Sequence, residues 1–138
     1  MKANVKTSDG NKIVVRGVSL DFNCMNENHL RRLRDIGSEL EKEYPGAMDL
    51  ELTDTQDLDG IIARRAEGTH VFCELFDRMF GEGTSKKVFG EDPYFGLCVD
   101  VYYGEFLPEI ARQCTRGGQK IEKYLEKYIP TGPKGSAK

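Results

Sequence analysis

The sequence predicts a mostly α-helical fold: a small helical domain of three to four main helices with an N-terminal β-hairpin. Three observations carry this expectation. Apolar residues recur at three- and four-residue spacing over 28–44, 57–80 and 93–129, the period of an amphipathic helix. Helix-ending signals fall between these runs, at Pro45-Gly46, Gly81-Glu82-Gly83 and Gly90, with Pro130 closing the last. Near the start, Asp9-Gly10 is a two-residue turn signal flanked by Val5, Thr7, Ile13 and Val15 in rough alternation. At 138 residues the chain makes one domain able to bury a core without disulfide staples. Residues 1–129 form that domain and 130–138, rich in Gly, Pro and Lys, read as a flexible tail.

The elements follow in order. The hairpin occupies about residues 3–20, with Val18 and Leu20 extending its second arm beyond Gly17. A lone hairpin is marginal in water, so it packs on the helices or offers its edge to another subunit. Asn26 or Asn28 caps the first helix, whose stripe is Leu30, Leu33, Ile36 or Gly37, Leu40 and Tyr44. Residues 47–60 are an acidic connector. Its acids lack the order and the terminal bidentate Glu of a calcium loop, and Asp54 and Asp57 read as helix-capping acids. The second helix spans roughly Asp57 to Phe80, and Gly68 in its middle either admits a neighbouring backbone or marks a kink. Thr84 caps a short turn, Ser85 to Phe89, closing on Gly90 in a left-handed conformation. Asp92-Pro93 restarts the chain as cap and first helical residue. Pro108 removes a backbone donor and should bend this third helix near Gly104, and Gly117-Gly118 should interrupt it before an amphipathic segment, 119–129.

Charge is unevenly distributed. From Asp21 to Asp59 there are eleven acids against four bases, and from Glu109 to the end three against seven. Two solvated faces explain this most simply, but it also suits copies meeting head to tail. Nucleic-acid binding is disfavoured, because the basic end lacks interleaved stacking aromatics and the net charge is −3. No apolar run reaches a membrane span, and MKANVKTSDG has no signal-peptide core, so an intracellular, reducing compartment is expected. The scattered cysteines Cys24, Cys73, Cys98 and Cys114, without a CxxC, then argue against a disulfide framework.

Catalytic chemistry finds little footing. His70 and Cys73 share a helix face and Cys98 could lie opposite, but zinc needs four converging ligands and only this pair exists. Cys73, Cys98 and Cys114 fall on apolar stripes, where a cysteine acts as a small hydrophobe. No cysteine falls on an exposed turn beside a base, and GxSxG, Walker and GxGxxG patterns are absent. No enzyme activity, metal or cofactor is expected.

What remains is a small acidic helical chain with a distinctive corner. The hairpin leading into Leu20-Asp21-Phe22-Asn23, the acidic connector, and F-D-R-M-F-G-E-G-T-S-K-K-V-F-G (residues 76–90) followed by a helix resemble phage tail assembly chaperones. These belong to long-tailed phages (siphoviruses) and prophages of Gram-positive bacteria, and the likeness covers about residues 3–115. The resemblance implies a non-enzymatic protein of the host cytoplasm that coats the tape-measure protein until tail-tube subunits replace it. It also implies self-association and, in some members, a longer frameshifted form joined near the tail. A chaperone for a long amphipathic helix needs apolar contact surface weak enough to be displaced. The surplus aromatics Phe72, Phe76, Phe80, Phe89, Tyr94, Tyr102, Tyr103 and Phe106 are the candidate partner-binding residues. The plainer alternative is that they fill this domain's own core; exposure of Phe89, Tyr94 or Tyr103 would favour the partner reading. Two other functions stay open. A connector or tail-completion protein would be found in purified virions, and a small metal- or DNA-binding regulator would carry stoichiometric zinc or bind duplex in a salt-dependent way.

Overall fold

A computed structural model describes residues 11–48 and 57–128. The fold is mostly helical with an N-terminal two-stranded antiparallel hairpin. Strands β1 (Lys12–Val15) and β2 (Val18–Asp21) pair with Ile13 opposite Leu20 and Val15 opposite Val18. Among the described residues four helices follow: α1 (Glu27–Glu43), α2 (Leu58–Phe80), α3 (Thr84–Phe89) and a last one running from Phe95 to Tyr128. That last helix comprises α4 (Phe95–Val101), a π-turn (Tyr102–Phe106) and α5 (Leu107–Tyr128).

Val18 and Leu20 do not extend the arm that holds Ile13 and Val15 but form a second strand paired with it. Asp9-Gly10 lies outside the described residues, as does the first arm that was to pair with Ile13 and Val15. Among the described residues, 12–15 are the first arm and Arg16-Gly17 makes the turn. Both turn residues have positive φ, 51° and 78°, the primed turn whose twist matches the paired strands. A left-handed arginine is strained by about 1–2 kcal/mol. It is held there by two bonds: its N–H donates to Glu105 Oε1 (3.2 Å) and its guanidinium to the Val88 carbonyl (3.2 Å). Ile13, Val15 and Leu20 turn inward and are buried, while Lys12 and Val14 face out.

Helix α1 begins as expected, with the Asn26 side chain accepting from Asn28 N–H (2.9 Å). Ile36 and Leu40 are buried, but Leu30, at the outer end of the stripe, is exposed. Helix α2 is capped by Asp57, which accepts from Gly60 N–H (2.8 Å), and ends on Gly81 at φ 116°. Gly68 admits a neighbour: a Cβ there would lie 2.7 Å from the Ala47 carbonyl oxygen and 2.5 Å from the Phe95 ring.

Three sequence expectations after α2 need correction. Gly83, in the left-handed conformation, rather than Thr84, occupies the cap of α3 and offers no side chain. The cap comes from across the corner, where the Asp77 carboxylate accepts from Ser85 N–H (2.8 Å) and Ser85 Oγ (3.1 Å). Helix α4 starts at Phe95, not at Pro93. Tyr94 is extended, and this drops the Phe95 ring against Gly68 and to 6.1 Å from Phe72. Packing outweighs the local cap signal there. Finally, α5 runs through Gly117-Gly118 without interruption. Each glycine weakens the helix by about 1 kcal/mol, too little to stop it. Gly117 makes room for the Met25 side chain, which a Cβ there would meet.

Ahead of Pro108 the helix takes a π-turn, Tyr102–Phe106, which spans Gly104. Lacking an N–H, Pro108 leaves the Gly104 carbonyl without its α-helical donor, and the ladder widens so that Leu107 N–H bonds Tyr102 O. The extra residue swings Phe106 fully into the core.

The sequence also argues against a disulfide, and the structure has one. Cys24 and Cys114, 90 positions apart, are bonded with Cα atoms 5.5 Å apart. Their pairing arises because the segment after β2 docks on α5, a contact that spacing along the chain does not reveal.

Candidate functional site

The aromatic stretch divides into an inner and an outer set. Phe76 is the hub, with ring centroids 4.9 Å from Phe106, 5.1 Å from Phe89 and 6.1 Å from Phe80. Phe72 extends the cluster toward Tyr102 (5.3 Å) and Tyr103 (6.5 Å). Such pairs each contribute about 0.5–1.5 kcal/mol beyond their burial. Phe72, Phe76, Phe89 and Phe106 are buried, and Phe80 and Tyr102 half-buried. A partner could reach the four buried rings only if the domain opened, whereas Phe80 and Tyr102 each leave an edge at the surface. Tyr94 and Tyr103 differ, being 62% and 42% exposed. Both border the same part of the core, since Tyr103 stands against Phe72, and Tyr94 directly precedes Phe95, whose ring also abuts Phe72. They form the outer rim of the cluster.

Two helix ends carry further exposed apolar residues. Leu58 and Ile62, four apart at the start of α2, share one face beside Asp57 and Asp59. Ile121 and Leu125, likewise four apart, lie on α5 among Arg116, Lys120 and Lys123. The first end is apolar and acidic, the second apolar and basic. Nothing in the sequence pattern separates these residues from the buried members of the same stripes, because periodicity gives the face and not where the core ends.

Two polar arrangements are structural. Arg78 on α2 donates to Glu43 (3.1 Å), Glu39 (3.5 Å) and Glu74 (2.9 Å), tying α1 to α2. The Glu43 hydrogen bond raises the arginine's already high pKa, and the same bond holds the Glu43 carboxyl below its ordinary value. Gln113 on α5 is 2% exposed, and sequence reading missed it. Its Oε1 accepts from Cys24 N–H (2.7 Å), and its Nε2 donates to the carbonyls of Phe22 (2.6 Å) and Lys12 (3.4 Å). Only its place three residues after Ile110 on the inner stripe hinted at burial.

The remaining candidate ligands do not converge. His70 Nε2 lies 3.3 Å from the Tyr44 hydroxyl, and Cys73 and Cys98 are free cysteines, the first half-buried and the second buried. Among the described residues no three His, Cys, Asp or Glu side chains are grouped to hold a metal ion. Among those residues, too, no helix is long and apolar enough to cross a membrane.

No curated protein and no solved structure is matched by this chain. Residues 16–136 do match one family, from the turn of the hairpin to past the end of α5, and the chain therefore belongs to the family of unknown function DUF6673.

Proposed function

We propose that the chain is a non-enzymatic tail assembly chaperone of a long-tailed phage or prophage, acting in the cytoplasm of its bacterial host. The observation that carries this reading is the exposure of Tyr94 and Tyr103 on the rim of an otherwise filled aromatic core. A core that needed every ring would have covered them. An amphipathic helix of the tape-measure protein laid across this rim would gain two aromatic contacts without opening the domain. Contact through a rim, rather than a deep groove, is shallow enough for tail-tube subunits to displace the chaperone later.

Self-association is part of the proposal. The apolar, acidic start of α2 in one copy suits the apolar, basic end of α5 in the next, and such a head-to-tail contact extends from copy to copy unless its rotation closes a ring. Many copies could then line one long helix. In a reducing cytoplasm the Cys24–Cys114 bond persists if its reduction potential lies below that of the thiol pool or if reductants reach it slowly; Cys24 is buried and Cys114 half-buried.

Co-expression with the tape-measure protein of the same phage or prophage tests the reading. Wild-type chain should co-purify with it and raise its soluble fraction, whereas a Tyr94→Ala/Tyr103→Ala variant should lose both effects while keeping its fold. No co-purification and no gain in solubility with the wild type would sink the idea.

A further inference from the structure

The hairpin has two outer edges, and the helices meet one of them. Along β1, Gln113 on α5 reaches the Lys12 carbonyl. The edge of β2 is different. Phe22 N–H donates to the Asn11 carbonyl (3.0 Å), so Asn11 and Phe22 form a hydrogen-bonded pair. Carried through the register, the alternation makes Ile13–Leu20 and Val15–Val18 hydrogen-bonded pairs too. The N–H and carbonyl groups of Ser19 and Asp21 therefore point away from β1, and among the described residues no hydrogen bond reaches them. This edge borders a groove of about 260 Å³ whose other wall is Met79, Phe80, Thr84 and Lys87. Lys87 is exposed and makes no ion pair among the described residues. It directly precedes Val88, whose carbonyl accepts from Arg16, so it stands at the turn end of β2.

We infer that this edge takes a second copy of the chain, β2 adding antiparallel to β2 about a two-fold axis at Leu20 and joining both hairpins into one sheet. An open edge is a template for another strand, and an isologous pairing satisfies both copies at once. With the axis at Leu20, Ser19 lies opposite the partner's Asp21 and Asp21 opposite the partner's Ser19. Each pair exchanges two backbone hydrogen bonds, so the outward groups of Ser19 and Asp21 in both copies are satisfied. Ser19 and Asp21 share the exposed face, which sets a serine hydroxyl across from a carboxylate it can donate to. The neighbouring registers are worse. A shift one way sets Asp21 against the partner's Asp21, a like-charge pair. A shift the other way sets Asp21 against Gly17, where the strand has already turned. Direction follows from charge as well. An antiparallel partner carries its Asp21 toward the turn end of β2, where Lys87 stands, whereas a parallel one would bring Val18 there. The contact shares no residue with the helix ends and does not depend on the proposed function.

The test uses the full chain, in sedimentation equilibrium from micromolar to millimolar concentration and in amide hydrogen exchange over the same range. Wild-type chain should associate as concentration rises, with the Ser19 and Asp21 amides gaining protection in step. Ser19→Pro removes an outward N–H and no bond to β1, so it should abolish that protection while the circular dichroism stays unchanged. Ser19→Asp sets like charges opposite each other twice and should weaken the edge dimer about tenfold. Ser19→Lys, facing the partner's Asp21, should tighten it. Position 19 is exposed, so these two variants keep the fold and carry the test should proline disturb the hairpin. Three results would each overturn the proposal. The first is a pair of amides still unprotected at millimolar chain. The second is protection that does not change with concentration, which means that the chain covers its own edge. The third is association indifferent to Ser19→Asp and Ser19→Lys, as assembly through the helix ends would be.

Discussion

Replacing Gln113 with leucine should cost about 2–4 kcal/mol of stability, although the substitution adds apolar volume at a core position. The side chain is 2% exposed and brackets two backbone groups that have little access to water: the N–H of Cys24 at 2.7 Å and the carbonyl of Phe22 at 2.6 Å. Leucine leaves both unsatisfied, at about 1–3 kcal/mol each. The third bond, to the Lys12 carbonyl at 3.4 Å, is long and adds little. Burying leucine in place of an amide returns about 1–2 kcal/mol. The remainder is a sizeable part of the 5–15 kcal/mol typical of a domain, and corresponds to about 10 °C in Tm for one of this size. Urea unfolding with the Cys24–Cys114 bond intact gives the magnitude, and the m-value should be unchanged. Amide hydrogen exchange gives the location, because the Cys24 N–H should lose protection well before the rest of the core. A loss under about 1 kcal/mol, or a Cys24 amide still protected, would refute the claim that Gln113 holds the strand end to α5.

Four further outcomes are expected. Gly68→Ala should destabilise by about 1–3 kcal/mol in a denaturant titration, because its Cβ meets the Ala47 carbonyl oxygen at 2.7 Å and backbone cannot easily yield. Gly117→Ala should be neutral or stabilise by up to about 1 kcal/mol, since it meets only the pliable Met25 side chain and improves helix propensity. Asp77→Ala should lower stability by about 1–2 kcal/mol through loss of the cap on α3, with the local exchange increase confined to 84–89. In a carbon-detected NMR titration Glu43 should show a depressed pKa, returning toward the ordinary value in Arg78→Gln. The sign follows from that depression: its contribution to stability is present above the unfolded-state pKa and fades as pH falls through the lower folded-state value, weakly and less so in salt, because the pair is exposed.

Much of the fold is legible in the residues, and the misses share a cause. Asn26 and Asp57 are side-chain caps a few bonds from the N–H groups they satisfy, so the starts of α1 and α2 follow from local sequence. Gly81 likewise marks a helix end through its own conformation. The start of α4 does not, because Tyr94 is held extended by where Phe95 packs, and Phe95 packs on Gly68, 27 positions earlier. The Cys24–Cys114 bond and the Gln113 bracket are long-range in the same sense, the first joining residues 90 positions apart. Among the eight aromatic candidates, spacing identifies a common face but cannot say how many rings one core holds. Packing answers that, leaving Tyr94 and Tyr103 outside.

The corner that prompts the chaperone resemblance, residues 76–90, is explained almost wholly by folding. Phe76 and Phe89 fill the core, Phe80 packs on its edge, Asp77 caps α3, Arg78 ties α2 to α1, and Gly81, Gly83 and Gly90 take positive φ. Each of these side chains is engaged within the domain, so substitutions there should alter stability first and partner contact only as a consequence. The exposed rings and helix ends lie outside the corner, at Tyr94, Tyr103, Leu58, Ile62, Ile121 and Leu125. A pair of variants separates the two roles. Tyr94→Ala with Tyr103→Ala, both well exposed, should shift Tm by no more than a few degrees yet abolish tape-measure co-purification. Phe76→Ala should cost about 3–5 kcal/mol and remove partner binding only by unfolding the domain. If the tyrosine variant still solubilised the tape measure as the wild type does, the contact would have to be sought at the helix ends instead.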